Sequence, residues 1–169
     1  MANTTFTGAV RSESTFKTVS KNTSTGAITE IATLGDGPVS LSDGDVTLTN
    51  ATHSGRILLV PDGGQDNTYT LPAPIAGSVF RFVYAGGAAD ATDAIIVTPG
   101  NSNFYIGGVT FLDTDGDAIS SVFSDGNSNS SIHINVPAGF DISIVGLDTT
   151  NYQILGNVTS TTAPVIADQ

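Results

Sequence analysis

The chain has 169 residues, no cysteine and a formal net charge of -11, from 16 acidic and 5 basic residues. That is the length of one ordinary domain, and it excludes disulfides, thiolate metal sites and the concentrated basic patch that nucleic-acid binding needs. Only 12% of residues are charged, against about 25% in ordinary domains, so the polar surface must be Ser, Thr, Asn and Gly. Such a surface suits side-by-side packing, where long charged side chains would lose rotamer freedom.

No apolar run approaches the roughly 20 residues of a membrane helix. The opening Met1-Ala2-Asn3-Thr4-Thr5-Phe6 lacks a basic region followed by an apolar stretch. Synthesis in a cytoplasm is therefore expected, with neither membrane nor nucleic acid as partner.

In chain order, residues 1–24 are rich in Thr and Ser, with Phe6, Val10, Phe16 and Val19 widely spaced among them. Such a segment cannot bury enough surface alone to offset its ordering entropy, so residues 1–36 read as an N-terminal arm that orders on a partner or neighbouring subunit. Arm cations Arg11, Lys17 and Lys21 balance Glu13, Glu30 and Asp36, which leaves the whole net charge on residues 37–169.

Strand candidates follow at 27–33, 46–49, 56–60, 68–71, 78–84, 94–98, 104–111, 118–123, 131–136, 140–145 and 151–157, with Gly-, Pro- and Asp-rich turns between them. Period-2 alternation puts Phe80, Phe82 and Tyr84 on one face, with Ile132, Ile134 and Val136, and Phe140, Ile142 and Ile144, also inward. Helical periodicity is close to absent. The expectation is an all-β sandwich over 37–169, jelly-roll-like with about eight strands once edge pieces are discounted. A loose C-terminal tail is expected from about residue 159, and Gly107-Gly108 is expected to be a bulge or bend.

Chemistry-bearing patterns are few. Asp113-Thr114-Asp115-Gly116-Asp117 looks like a calcium loop, yet Ala118 and Ser124 stand where an EF-hand needs Gly and Glu. Asp113, Asp115 and Asp117 are the candidate ligands of a weak calcium site on a β-loop. His53 and His133 lie far apart in the sequence, and nothing marks either as part of a triad. No catalytic residue is assigned and no enzyme activity is expected.

The stretch Asn3-Thr4-Thr5-Phe6-Thr7-Gly8-Ala9-Val10-Arg11-Ser12-Glu13-Ser14-Thr15-Phe16-Lys17, with Thr25-Gly26-Ala27-Ile28-Thr29-Glu30, resembles the N-termini of capsid-associated proteins of tailed phages, especially marine and cyanobacterial ones. Tyr69-Thr70-Leu71-Pro72-Ala73-Pro74 and Gly77-Ser78-Val79-Phe80-Arg81-Phe82-Val83 resemble the strand–proline turn–strand of phage head-decoration and fibre-associated β domains. The resemblance implies a capsid decoration, or cement, protein: a homotrimer on the outer surface of the virion that binds the major capsid protein. On that reading Phe6, Val10, Phe16 and Val19 anchor the arm, with Arg11 and Lys17 as ion-pair donors. A head or tail fibre module and a calcium-dependent carbohydrate-binding β-sandwich are the alternatives.

Overall fold

A computed structural model describes residues 16–34, 37–87 and 91–169. Phe6, Val10 and Arg11 lie outside the described residues. The first elements, β1 (Phe16–Lys21) and β2 (Ile28–Leu34), pair antiparallel into a two-stranded sheet of their own. Asn22 shapes their turn, its Oδ1 accepting from the Ser24 and Thr25 N–H groups at 2.9 and 3.0 Å. The segment read as an arm thus contains a hairpin, and β2 lies beside the short helix and the fifth strand introduced next.

The chain continues through β3 (Val39–Ser40), β4 (Val46–Thr47), the single turn α1 (Asn50–His53), β5 (Arg56–Val60), β6 (Asn67–Thr70), β7 (Val79–Tyr84) and β8 (Ala94–Val97). These strands alternate between two sheets. β3, β5 and β7 are parallel neighbours in one, and β4, β6 and β8 are parallel neighbours in the other. A parallel pair needs a crossover, and here each crossover is a strand of the opposite sheet. Register stacks Val39, Leu58 and Phe82 in one sheet and Val46, Tyr69 and Ile96 in the other.

The remaining strands close the sandwich: β9 (Phe104–Asp113), β10 (Ile119–Phe123), β11 (Ser131–Ile134), β12 (Pro137–Gly146), β13 (Asn151–Ser160) and β14 (Val165–Ala167). The seven-stranded sheet runs β10-β9-β13-β12-β7-β5-β3, and the five-stranded sheet runs β14-β11-β8-β6-β4. The all-β sandwich is as expected from the alternation. The pairing differs from a jelly roll, whose strands are antiparallel, because the winding from β3 to β8 makes its pairs parallel.

One core joins the two sheets. Phe80, Phe82, Ile132, Ile134, Ile142 and Ile144 are fully buried, as their alternation requires, and each contributes about 1.5–3 kcal/mol relative to exposure. Val136 departs from the expected inward row, because its φ of 39° turns the chain out of the strand alternation between β11 and β12. Tyr69 meets Phe82 across the sheets at 6.2 Å between ring centres. Buried Tyr105 and Tyr152 donate to the carbonyls of Ile96 and Pro72 at 3.2 and 2.9 Å. The Tyr69 hydroxyl is buried and makes no well-formed hydrogen bond, the Asn67 side chain acting on it less than burial does.

The C-terminus corrects the expectation of a loose tail. β13 runs to Ser160, and β14 pairs antiparallel with β11. Gln169 then clasps the sheet end, its Nε2 donating to Thr98 O and Oγ1 at 2.8 and 3.0 Å. Val165 and Ile166 extend the sheet because Pro164 ends the preceding loop and leaves two β-branched residues opposite His133 and Ile132.

Candidate interaction surface

The inward rows of the seven-stranded sheet are filled by the core, and the outward rows are therefore the surface that the strands themselves build. Arg81 on β7 and Asp141 on β12 are charged side chains of this face, and they neutralise each other. Arg81 Nε donates to Asp141 Oδ1 at 2.9 Å and Nη2 to Oδ2 at 2.6 Å. The guanidinium holds the Asp141 carboxyl below its ordinary range. Around them lie Ser143, Gln153, Asn157 and Thr110, with exposed Ile57, Ile106, Leu155 and Phe123.

Three glycines remove the side chains that would otherwise fill the middle of the face. Gly107 has φ +97° and Gly156 φ +144°, a backbone region that favours glycine. A Cβ on Gly156 would lie 2.1 Å from Asp141 O, and one on Gly108 would lie 2.3 Å from Val122 O. Neighbouring backbones approach too closely for any side chain there. β9 runs unbroken through Gly107-Gly108, and its register with β13 is the same at Gly107–Ile154 and at Thr110–Asn157; what sets the pair apart is the positive φ of Gly107. The result is a trough of about 500 Å³ over Gly107, Gly108 and Gly156, walled by Phe123 and Leu155. A second hollow of about 280 Å³ at Arg81, Asp141 and Asn157 shares Leu155 and Gly156 with it.

The arm residues are placed only in part. Phe16 opens β1, its backbone opposite Leu34. Lys17 is committed within the hairpin, Nζ lying 3.0 Å from both Glu30 carboxylate oxygens. Val19 is half exposed on β1, and Ile28 is exposed on β2.

Asp113, Asp115 and Asp117 occupy the β9–β10 turn and are used to build it. Asp113 Oδ1 accepts from Asp115 N at 2.9 Å, Asp113 N donates to Ala118 O at 2.9 Å, and Asp117 takes φ 49°. Among the described residues no group of three or more His, Cys, Asp or Glu side chains could hold a metal ion. The three carboxylates are thus not gathered into a ligand set.

His53 lies on α1, where its Nδ1 accepts from Thr49 N at 2.9 Å. Burial pushes its pKa below the ordinary value. His133 Nε2 is 2.8 Å from Asp93 Oδ2, while Asp93 Oδ1 accepts from Val136 N at 2.8 Å. This pairing fastens the β11–β12 corner. Among the described residues neither histidine bonds a serine hydroxyl, and the two are not brought into one constellation. The trough was not foreseen as a surface. Its sequence signal is Gly107-Gly108 on β9 and Gly156 on β13, and nothing in the sequence sets those two strands side by side.

Fold and surface define an all-β sandwich protein with a low-charge outer sheet face and a separate N-terminal hairpin. No protein-family model matches the chain, and no curated protein matches it. Among the described residues no helix is long and apolar enough to cross a membrane.

Proposed function

We propose that the chain is a non-enzymatic structural protein of a tailed-phage virion. On this reading it is a decoration protein that binds the outer capsid surface as a homotrimer and reinforces contacts between major capsid proteins. One observation carries the reading: the broad outer face of the seven-stranded sheet holds one self-neutralised ion pair amid uncharged and exposed apolar side chains. A protein of net charge -11 that leaves such a face nearly free of charge has a surface fitted to lie against other proteins. The resemblance of residues 3–17 to capsid-associated proteins supplies the class of partner.

Residues 1–36 are the part that docks on the capsid or on a neighbouring subunit. Their balanced charge does not share the repulsion that the sandwich domains exert on one another. In a trimer three weak attachments add through effective concentration. The test adds the purified chain to capsids that lack it. Saturable binding at a fixed number of sites per particle, with raised resistance of the particle to heat, is the expected result. Capsids that retain no protein above background overturn the proposal.

A further inference from the structure

Two of the molecule's free strand edges are flanked by opposite charges. Among the described residues β10 pairs with β9 alone. Its residues 119–123 hold no Lys, no Pro and no charge, the devices that ordinarily guard a sheet edge. Ile119 and Phe123 are each 74% exposed. Carboxylates bracket the strand, with Asp113, Asp115 and Asp117 before it and Asp125 after it. β1 pairs with β2 alone among the described residues. Val19 is half exposed on it, between Lys17 and Lys21. Glu30 holds Lys17, whereas Lys21 makes no ion pair among the described residues.

Like edges repel each other. Two β10 strands paired antiparallel about Ser121 would set Asp117 of one copy opposite Asp125 of the other, at both ends. Two β1 strands paired about Val19 would set Lys17 opposite Lys21 in the same way. Like charges directly opposite destabilise a ladder. Unlike edges match. β1 has six residues and β10 five. With Val19 opposite Ser121, one lysine falls toward an acidic turn at each end, whichever way the strands run.

The two edges lie on opposite sides of one molecule. β2 lies beside α1 and β5, and β7, β12, β13 and β9 separate β5 from β10. The hairpin in its place therefore cannot meet the β10 of its own chain. We infer that β1 of one copy adds to the free edge of β10 on a second copy, a head-to-tail contact that extends the seven-stranded sheet by the hairpin. The inference rests on the self-association in the proposed function and names its contact. Main-chain hydrogen bonds form on groups that both free edges otherwise leave to water. A head-to-tail contact repeats from copy to copy and closes into a ring where the rotation permits.

Such a contact has two unlike halves, and each can be disabled separately in the full chain. Phe123→Lys places a cation on the β10 edge. The double variant Val19→Asp, Lys21→Asp gives β1 the sign of the acidic turns and leaves the Lys17–Glu30 pair intact. In sedimentation equilibrium each variant alone is expected to self-associate at least 10-fold more weakly than the wild type, with unchanged circular dichroism. Their equimolar mixture retains one intact half from each and is expected to form a 1:1 heterodimer that grows no further. The inference is overturned if the mixture stays monomeric, if either variant alone associates like the wild type, or if the wild type is itself a monomer. None of these readouts involves capsids. A wild type that associates while the mixture does not would remove this contact and leave the homotrimer standing. Rings that form through this contact and fail to bind particles would overturn the decoration reading alone.

Discussion

Arg81 and Asp141 meet diagonally across the β7–β12 ladder. Arg81 stands opposite Ser143 and Asp141 opposite Val83, and the guanidinium spans the offset to grip both carboxylate oxygens. Both side chains are well exposed to solvent, at 48% and 38%, so screening limits what the pair contributes. A double-mutant cycle with Arg81→Ala and Asp141→Ala should return a coupling below about 1 kcal/mol that shrinks in high salt. A salt-independent coupling of several kcal/mol would show that the face is desolvated in the free protein.

Tyr69 and Tyr152 offer an internal comparison. Both are buried, yet Tyr152 donates to Pro72 O at 2.9 Å, whereas the Tyr69 hydroxyl makes no bond of that geometry and has only the Asn67 side chain acting on it weakly against burial. An unpaired buried hydroxyl carries its desolvation cost without return. Tyr69→Phe should therefore leave thermal stability unchanged or raised, while Tyr152→Phe should lose about 1 kcal/mol. Equal losses in calorimetry would show that Tyr69 is satisfied by a group such as bound water.

Asp125 knots the loop after β10. It accepts from the Ser128 and Asn127 N–H groups at 3.0 and 2.9 Å and from the Ser128 hydroxyl at 2.8 Å, and these bonds hold its pKa down at about 2. Asp148 is lowered the same way by the Asn151 side chain and the Thr150 and Asn151 N–H groups. A carboxylate whose pKa is depressed by folding stabilises the fold above its ordinary pKa and loses that contribution as pH falls. For Asp125 the loss should run from about pH 4 down to about pH 2. Carboxyl NMR should place its midpoint near 2, and Asp125→Asn should flatten the acid limb of the stability curve. A midpoint near 4 would mean that the turn bonds are absent in solution.

Gly156 is the position where the outer face tolerates least. Its φ is +144°, and a Cβ would sit 2.1 Å from the backbone oxygen of Asp141. Since that contact is backbone, no rotamer relieves it, and Gly156→Ala should cost more than about 2 kcal/mol in denaturant unfolding. Gly139 has open space around it, and Gly139→Ala should remain within about 0.5 kcal/mol. Similar losses for the two would place the close approach elsewhere.

Alternation made the core legible in the sequence. Phe80 and Phe82, Ile132 and Ile134, and Phe140, Ile142 and Ile144 all point inward because a strand's side chains repeat every two residues. Topology was not legible, since period-2 patterns carry no information about which strand lies beside which. Hence the parallel winding of β3 to β8 and the adjacency of Gly107 and Gly156 appear only in three dimensions. The two-residue β3 falls below any pattern length, whereas β4 lies within the strand expected at 46–49. β14 is short as well, and it is held by pairing with β11 and by the Gln169 clasp on Thr98, a contact across 71 sequence positions that no local signal encodes.

The central claim, attachment to the outside of a capsid, is tested most directly by electron cryo-microscopy of the parent particle with and without this chain. The account predicts density of three-fold symmetry on the outer capsid surface, into which the sandwich fits, present only when the chain is present. Identical capsid surfaces in the two maps, or density for the chain confined to the tail or the particle interior, would contradict it.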